Sequence, residues 1–349
     1  MGTKVGCTPA QPAWTSRKAL RTFARRRRVP RKKRGWPNVN AMQLAFSTCW
    51  NSPRHTRGDE MLDEIFRLGF DCVELSHGIR LSLWDGIEHF LADHPMTVTS
   101  LHNFCPLPVE ILHSAPDCYQ CTAARADERA RALRHTLQTI DHAHKLGVKR
   151  VVMHLGSVQM PNYTERLFQR IVSGRYLDRR FVAIKLNAIR KREAITVYHR
   201  VVEWLQPVLA HAKAADVKLG IENRIGIETF PSEREFRRLF TDVTDSSIGY
   251  WHDFGHAQIR HNLTFIDHAE WLAEMAPRLI GCHVHDVSFP DTDHQVPFSG
   301  MIDLVGLIQS LSFELPMIWE LSSTASEDDI VAALAHWKQR FSQMHSENG

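Results

Sequence analysis

The chain has 349 residues, of which 43% are hydrophobic, 23% charged and 9% aromatic, which excludes wholesale disorder, a collagen-like fibre and a coiled coil. No apolar run reaches the roughly 20 residues needed to cross a bilayer, so a membrane-spanning helix is excluded too. The net charge of +4 is unevenly placed: residues 1–41 hold 12 of the 43 Lys and Arg residues and no acid, leaving a body of 31 basic and 39 acidic residues with a net charge of −8.

The basic segment 1–41 comes first. It runs from Arg17-Lys18 through Arg25-Arg26-Arg27-Arg28 to Arg31-Lys32-Lys33-Arg34 and reads as a disordered tail. It admits three uses: an arm for nucleic acid or polyphosphate, a targeting segment without a secretory apolar region, or a non-functional extension. We favour the extension, because Met42 stands directly before the first strand-like run, Gln43-Leu44-Ala45-Phe46-Ser47. The folded unit is then expected at residues 42–345. The acidic charge of that unit argues against a nucleic-acid-binding domain.

From there, short apolar runs alternate with longer amphipathic stretches eight times. The strand-like runs are 43–48, 71–75, 97–102, 149–154, 217–222, 247–253, 279–285 and 315–321. Many are nearly continuously apolar, as in Arg150-Val-Val-Met-His154, the pattern of parallel strands buried on both faces. Helical spacing appears at 60–68, 125–146, 197–215, 232–240, 265–276 and 326–341, with Gly69 and Gly147 placed to end two of these helices. Eight such units without a break in composition predict a single closed (β/α)8 barrel, an α/β fold of the TIM-barrel kind. The basic stretch 155–196 interrupts the rhythm after the fourth strand. On a barrel it would fall on the catalytic face, either as a lid or clamp over the substrate or as a solvated helical excursion.

Seven cysteines, at 7, 49, 72, 105, 118, 121 and 282, form an odd and irregular set that fits a reduced, cytoplasmic chain. Cys118-Tyr-Gln-Cys121 is a lone C-x-x-C and reads as a chance pair in a loop.

Catalytic groups of a barrel gather at the C-terminal ends of its strands. That position reads Glu74, His102, His154, Glu222, Asp253, His283 and Glu320, so seven of eight strands end in an acid or an imidazole. Such groups are costly at the end of a buried strand unless they are paired or hold an ion. Any one alone is more simply a satisfied core histidine or a capping acid, but seven on one rim are not. Trp251-His-Asp-Phe-Gly-His256 and Cys282-His-Val-His-Asp-Val287 extend the set, and Asp291-Thr-Asp-His294 follows in a Pro-bearing loop. His283 and His285 share one face of their strand, so both can point inward. Mixed carboxylate and imidazole ligands suit Zn²⁺, Mn²⁺, Co²⁺ or Mg²⁺.

At this point Phe70-Asp-Cys-Val-Glu-Leu-Ser76, Val152-Met-His154, Gly220-Ile-Glu-Asn223, Asp253-Phe-Gly-His256, His283-Val-His-Asp286 and Trp319-Glu-Leu321 resemble the xylose-isomerase-like TIM-barrel superfamily. That superfamily holds sugar epimerases of the tagatose 3-epimerase kind and the endonuclease IV apurinic-site nucleases, and the resemblance covers about residues 43–340. By the epimerase pattern it implies one divalent metal on Glu222, Asp253, His283 and Glu320. His283 rather than His285 is matched because it stands three residues before Asp286. The resemblance further implies that Glu222 and Glu320 act as the acid/base pair. It leaves Glu74, His256, His285 and Asp286 for the substrate, His256 on a substrate oxygen. By the endonuclease IV pattern it implies up to three ions, with His102, His154, His256 and His294 as additional ligands. Thr292 stands where that pattern has an Asp, and Pro297-Phe-Ser-Gly300 replaces its glycine-rich loop.

No G-x-x-x-x-G-K, G-x-S-x-G or H-E-x-x-H occurs, so P-loop, hydrolase-elbow and zincin chemistry have no support. The expected function is a divalent-metal-dependent isomerase or epimerase of a sugar or related small polyol, working by proton transfer α to a carbonyl. The alternative is an endonuclease IV-like multi-metal phosphodiesterase. A non-enzymatic barrel that binds a partner through its tail is the third and weakest reading. The expected partner is a sugar-like small molecule, with nucleic acid second, no membrane, and a homo-oligomer admitted.

Overall fold

The computed structural model describes residues 43–113, 115–311 and 314–346. The basic segment 1–41, the boundary expected at 41–42 and Cys7 lie outside the described residues.

The apolar runs form parallel strands because both of their faces are covered, by the far wall of a barrel inside and by helices outside. The strands are β1 (Leu44–Ser47), β2 (Cys72–Leu75), β3 (Thr97–His102), β4 (Arg150–Met153), β5 (Lys218–Glu222), β6 (Ile248–Asp253) and β7 (Leu279–Val284). A small antiparallel hairpin follows, β8 (Asp286–Ser288) with β9 (Thr292–Gln295), and then β10 (Met317–Trp319). Strands β1 to β7 pair in sequence, and β10 joins β7 to β1, which closes an eight-stranded parallel barrel. Every barrel strand lies inside one of the runs read from the sequence.

The helices are α1 (Gly58–Arg67), α2 (Trp84–Asp93), α3 (Ala126–Lys145), α4 (Tyr163–Val172), α5 (Arg179–Glu193), α6 (Tyr198–Ala214), α7 (Glu233–Asp242), α8 (Phe254–Asn262), α9 (His268–Met275), α10 (Leu304–Ile308) and α11 (Glu327–Ser346). Helix α1 buries Met61, Leu62 and Ile65, and the chain leaves it through Gly69 at φ +93°. Gly147, at φ +72°, does the same after α3, and both are left-handed positions that other residues rarely adopt. The stretch 155–196 is a helical excursion, the pair α4 and α5 with Tyr163, Leu167, Phe168, Ile171 and Phe181 buried. Glu228, in the loop after β5, anchors it by accepting the backbone N–H of Tyr163 at 2.6 Å and the Thr164 hydroxyl at 2.6 Å.

The barrel interior is layered with the period of two that strands impose. Two residues below six of the eight strand ends lies a packing residue: Ala45, Val152, Gly220, Trp251, Gly281 and Ile318 stand beneath Ser47, His154, Glu222, Asp253, His283 and Glu320. Ala45, Val152, Trp251 and Ile318 form one fully buried cluster. The Trp251 ring fits because its neighbours have no side chain. A Cβ at Gly281 would sit 2.2 Å from that ring, and one at Gly220 would sit 2.8 Å from it. Gly281→Ala therefore overpacks the layer and is expected to cost about 1–3 kcal/mol in urea unfolding. Most of that loss should be recovered in a Trp251→Leu background. Additive effects of the two substitutions would refute the direct contact.

Candidate active site

The C-terminal ends of the strands converge on a cavity of about 360 Å³ at the barrel mouth, and Glu222, Glu320, His102, His154, His256 and His294 are among the residues that line it. Three groups of side chains there bring their nitrogen and oxygen atoms within 4.8 Å of one another: Glu222, Asp253, His283 and Glu320; His102, His154 and Glu222; and His256, His285 and His294. Every residue the sequence singled out as a metal ligand falls in one of these groups.

The first group is the most deeply placed. His283 is fully buried on β7, and its Nδ1 has no hydrogen-bond partner. That nitrogen lies 3.1 Å from Glu320 Oε2, 3.5 Å from Glu222 Oε1 and 3.8 Å from Asp253 Oδ2. On the other side of the ring, Nε2 lies 3.2 Å from both oxygens of Glu74. Glu74 in turn accepts the hydroxyls of Ser100 at 2.7 Å and Ser47 at 3.2 Å. A carboxylate behind the imidazole fixes the ring proton on Nε2 and leaves the Nδ1 lone pair facing three acids, the usual support of a metal-binding histidine. An orphaned nitrogen and three carboxylate oxygens with no Lys or Arg among them are the donor set of a divalent cation. The residues fit a metal.

The electrostatics of the group point the same way. Burial pushes the His283 imidazole down, yet Glu320, Glu74 and Glu222 together hold its pKa well above the ordinary value. Burial would raise the Glu222 carboxyl, but His283 and hydrogen bonds from His102 and His256 hold it well below the usual carboxylate range. The three acids thus favour a compensating positive charge among them, whether an imidazolium or a cation.

Glu222 also joins the first group to the second. Its Oε2 lies 2.9 Å from His154 Nε2 and 3.3 Å from His102 Nε2. His102 directs Nδ1 to the Asn103 carbonyl at 3.1 Å. In the same manner His256 directs Nδ1 to the Asn223 carbonyl at 2.9 Å, and His294 directs its Nδ1 to the Glu320 carbonyl at 3.0 Å. A carbonyl only accepts, so all three rings carry a proton on Nδ1; His256 and His294 keep the Nε2 lone pair, whereas His102 donates from Nε2 to Glu222 as well. Asn223 locks the ends of β5 and β6 together, accepting the Asp253 N–H at 2.8 Å and donating to its carbonyl at 3.0 Å.

Three residues expected at the substrate sit elsewhere. Glu74, His285 and Asp286 are all fully buried and none of them is among the lining residues. Glu74 backs His283, and His285 contacts Asp253. Asp286 accepts the backbone N–H groups of Val287 at 2.8 Å and Ile302 at 3.0 Å, which ties down the chain beyond the β8–β9 hairpin. His256 does line the cavity. No residue of 155–196 is among the described lining residues of this cavity.

The cavity also uses side chains that motif reading passed over. His77 lies against His102, with ring centroids 4.8 Å apart, and Arg224 is paired with Asp117 at 3.3 Å and lies beside His154. His77 and Arg224 each lie two or three residues beyond a strand-end acid, which is the one signal that could have found them. Arg224 is the only Lys or Arg among the described lining residues. The six described cysteines are free, and Cys121 is buried with its thiol on the Leu155 carbonyl. No described helix is long and apolar enough to cross a membrane.

Comparison with known proteins agrees with this architecture. No curated protein matches the chain. Among solved structures, a D-tagatose 3-epimerase-like protein shares 15% identity, with 88% of this chain and 99% of that one covered at a TM-score of 0.63. A 3-keto-D-glucoside 4-epimerase from E. coli shares 12% identity, covering 85% and 99% at a TM-score of 0.59. D-psicose 3-epimerase from Clostridium cellulolyticum H10 shares 13%, covering 85% and 99% at 0.58. At such identities the likeness is one of fold. Residues 62–340 match the family described as the xylose isomerase-like TIM barrel, and the chain belongs to that family.

Proposed function

We propose that this protein is a divalent-metal-dependent isomerase or epimerase that moves a proton α to the carbonyl of a sugar or related small polyol. One observation carries the reading. Of Glu222, Asp253, His283 and Glu320, only the two glutamates also line the cavity. Asp253 and His283 would hold the ion from behind, while Glu222 and Glu320 could touch both ion and substrate. A bound Mn²⁺, Zn²⁺, Co²⁺ or Mg²⁺ would supply a Lewis acid that polarises the carbonyl and acidifies the neighbouring C–H. Glu222 at the end of β5 and Glu320 after β10 face the cavity from strands set apart around the ring. One glutamate takes the proton from one face of the carbon and the other returns it on the opposite face, which inverts the centre. His256, with Nδ1 tied to a carbonyl, presents Nε2 to a substrate oxygen. The cavity volume suits a monosaccharide, and the fold is shared with sugar epimerases.

Metal removal and replacement test the first half of this reading. Mn²⁺ or Co²⁺ at a hundredfold excess over its Kd is expected to add about 2.7 kcal/mol to the stability, read as a higher melting temperature. His283→Gln should abolish that gain. A melting temperature unmoved by all four cations would remove the metal from the mechanism.

Solvent exchange tests the second half. In deuterated water, a panel of ketoses with the loaded enzyme should yield a substrate that gains deuterium α to its carbonyl. Glu320→Gln should slow that exchange about 10²- to 10⁴-fold with the ion still bound. Exchange that persists in Glu320→Gln, or none from any ketose, would overturn the proposed chemistry.

A second reading, multi-metal cleavage of a phosphodiester as in endonuclease IV, is favoured by the groups His102–His154–Glu222 and His256–His285–His294. Hydrolysis of that kind places ions roughly 3.5–4 Å apart. Against it, the described lining residues include one Lys or Arg, Arg224, beside Glu222, Asp293 and Glu320. Elemental analysis of protein purified without chelator separates the two. One ion per chain is expected, and two or three would move the assignment to hydrolysis.

A further inference from the structure

The third group, His256, His285 and His294, lies close enough for three ligands, but its hydrogen bonds divide it. The backbone N–H of His294 donates to His285 Nδ1 at 2.8 Å. A peptide N–H can only donate, so Nδ1 must hold a lone pair and the ring proton must sit on Nε2. The Asp286 carbonyl, at 3.4 Å from Nδ1, is too far to compete with that bond. Nε2 faces both oxygens of Asp253, each at 3.1 Å. Both nitrogens of His285 are therefore in use. His256 and His294 are the reverse case, with Nδ1–H on a carbonyl and the Nε2 lone pair open.

The rest of the pocket is shaped to hold His285 in this pose. The ring is fully buried, and it stacks on His294 with centroids 4.3 Å apart and planes at 17°. Gly255 leaves the room it needs, since a Cβ there would come within 1.9 Å of His285 Cε1. Asp253 Oδ1 also accepts the His256 N–H at 2.6 Å, at the start of α8. With the helix end on one side and the imidazole spanning both oxygens, the carboxylate plane has no freedom to turn.

We propose that His285 is a positioning residue that orients Asp253 toward the ion through its Nε2–H, and that the third group offers two coordinating nitrogens and not three. This rests on the reading of Glu222, Asp253, His283 and Glu320 as a metal site. Outer partners of this kind change metal affinity by about 10- to 100-fold without supplying a ligand.

The test measures ions per chain by elemental analysis and Mn²⁺ affinity by competition with a fluorescent chelator, on the full-length chain. His285→Gln carries an amide N–H at the reach of Nε2 and should keep the wild-type ion count, with a Kd within about threefold. His285→Leu and the shorter His285→Asn, whose amide cannot reach Asp253, should weaken Mn²⁺ about 10- to 100-fold with the saturated count unchanged. His285→Asn keeps the measurement available where the leucine variant does not fold. A Kd raised tenfold or more, or a lowered ion count, in His285→Gln would overturn the proposal, because the retained N–H would then not suffice. Wild-type affinity in His285→Asn would overturn it as well. A wild-type chain that takes up no ion would defeat the underlying metal reading, an outcome told apart from the others by the wild-type measurement alone.

Discussion

Three carboxylates brought together out of water are the constraint around which this barrel is built. Glu222, Asp253 and Glu320 are buried, with oxygens within 4.8 Å of one another and of His283 Nδ1. At about 4 Å and an effective dielectric of 20, each pair of like charges costs on the order of 4 kcal/mol. A chain that chose its conformation freely would move them apart. Here it cannot, because each acid sits at the end of a strand held by hydrogen bonds to both neighbours in a closed ring. The cost stays in place until a cation, or a protonated histidine standing in for one, offsets it.

The dry layer beneath sharpens that effect. Trp251 fills the barrel directly under Asp253 and packs edge-on against His283, with ring centroids 5.4 Å apart. Gly220 and Gly281 give up their side chains to admit it. Directly under Glu222, Asp253, His283 and Glu320 the layer is Gly220, Trp251, Gly281 and Ile318, so the hydrogen bonds that hold these groups come mainly from their own level. That is why Asn223, Glu74 and His285 matter. They hold the rim groups in place sideways, where Ala45, Val152, Trp251 and Ile318 below offer hydrocarbon and an indole ring.

Much of this was legible in the sequence. The eight strands were visible because burial on both faces makes them continuously apolar, and the rim was visible because strand ends in such a barrel share one level. Other features were hidden for identifiable reasons. Helix α8 is buried around nearly its whole circumference, so it has no polar face for a 3.6-residue period to reveal. Helix α2 begins at Trp84, straight after a turn of 3-10 helix, without a capping side chain to announce it. The basic stretch 155–196 carries no sequence mark of its tie to Glu228, which lies some 65 residues away and holds Tyr163 and Thr164. Glu74, His285 and Asp286, expected at the substrate, are fully buried and not among the described lining residues. Sequence period gives the face a side chain occupies, not its depth. His283 and His285 share one face two residues apart, yet Glu74 engages only Nε2 of His283, whereas His294 N–H and Asp253 engage both nitrogens of His285.

Glu222 is where the two readings of the site meet. One of its oxygens faces His283 and the other faces His102 and His154. While those two imidazoles only hydrogen-bond to it, the carboxylate can bind one ion on the His283 side and exchange a proton with a substrate on the other. An ion held by His102 and His154 would engage that second oxygen and make Glu222 a bridge, fully occupied as a ligand and no longer able to carry a proton. The same side chains thus suit acid/base chemistry at low metal occupancy and bridged hydrolytic chemistry at high occupancy. What distinguishes the two is the charge around the mouth. Among the described lining residues Asp293 and two glutamates face one arginine and five histidines, so without bound ions the mouth offers a phosphodiester backbone little fixed positive charge.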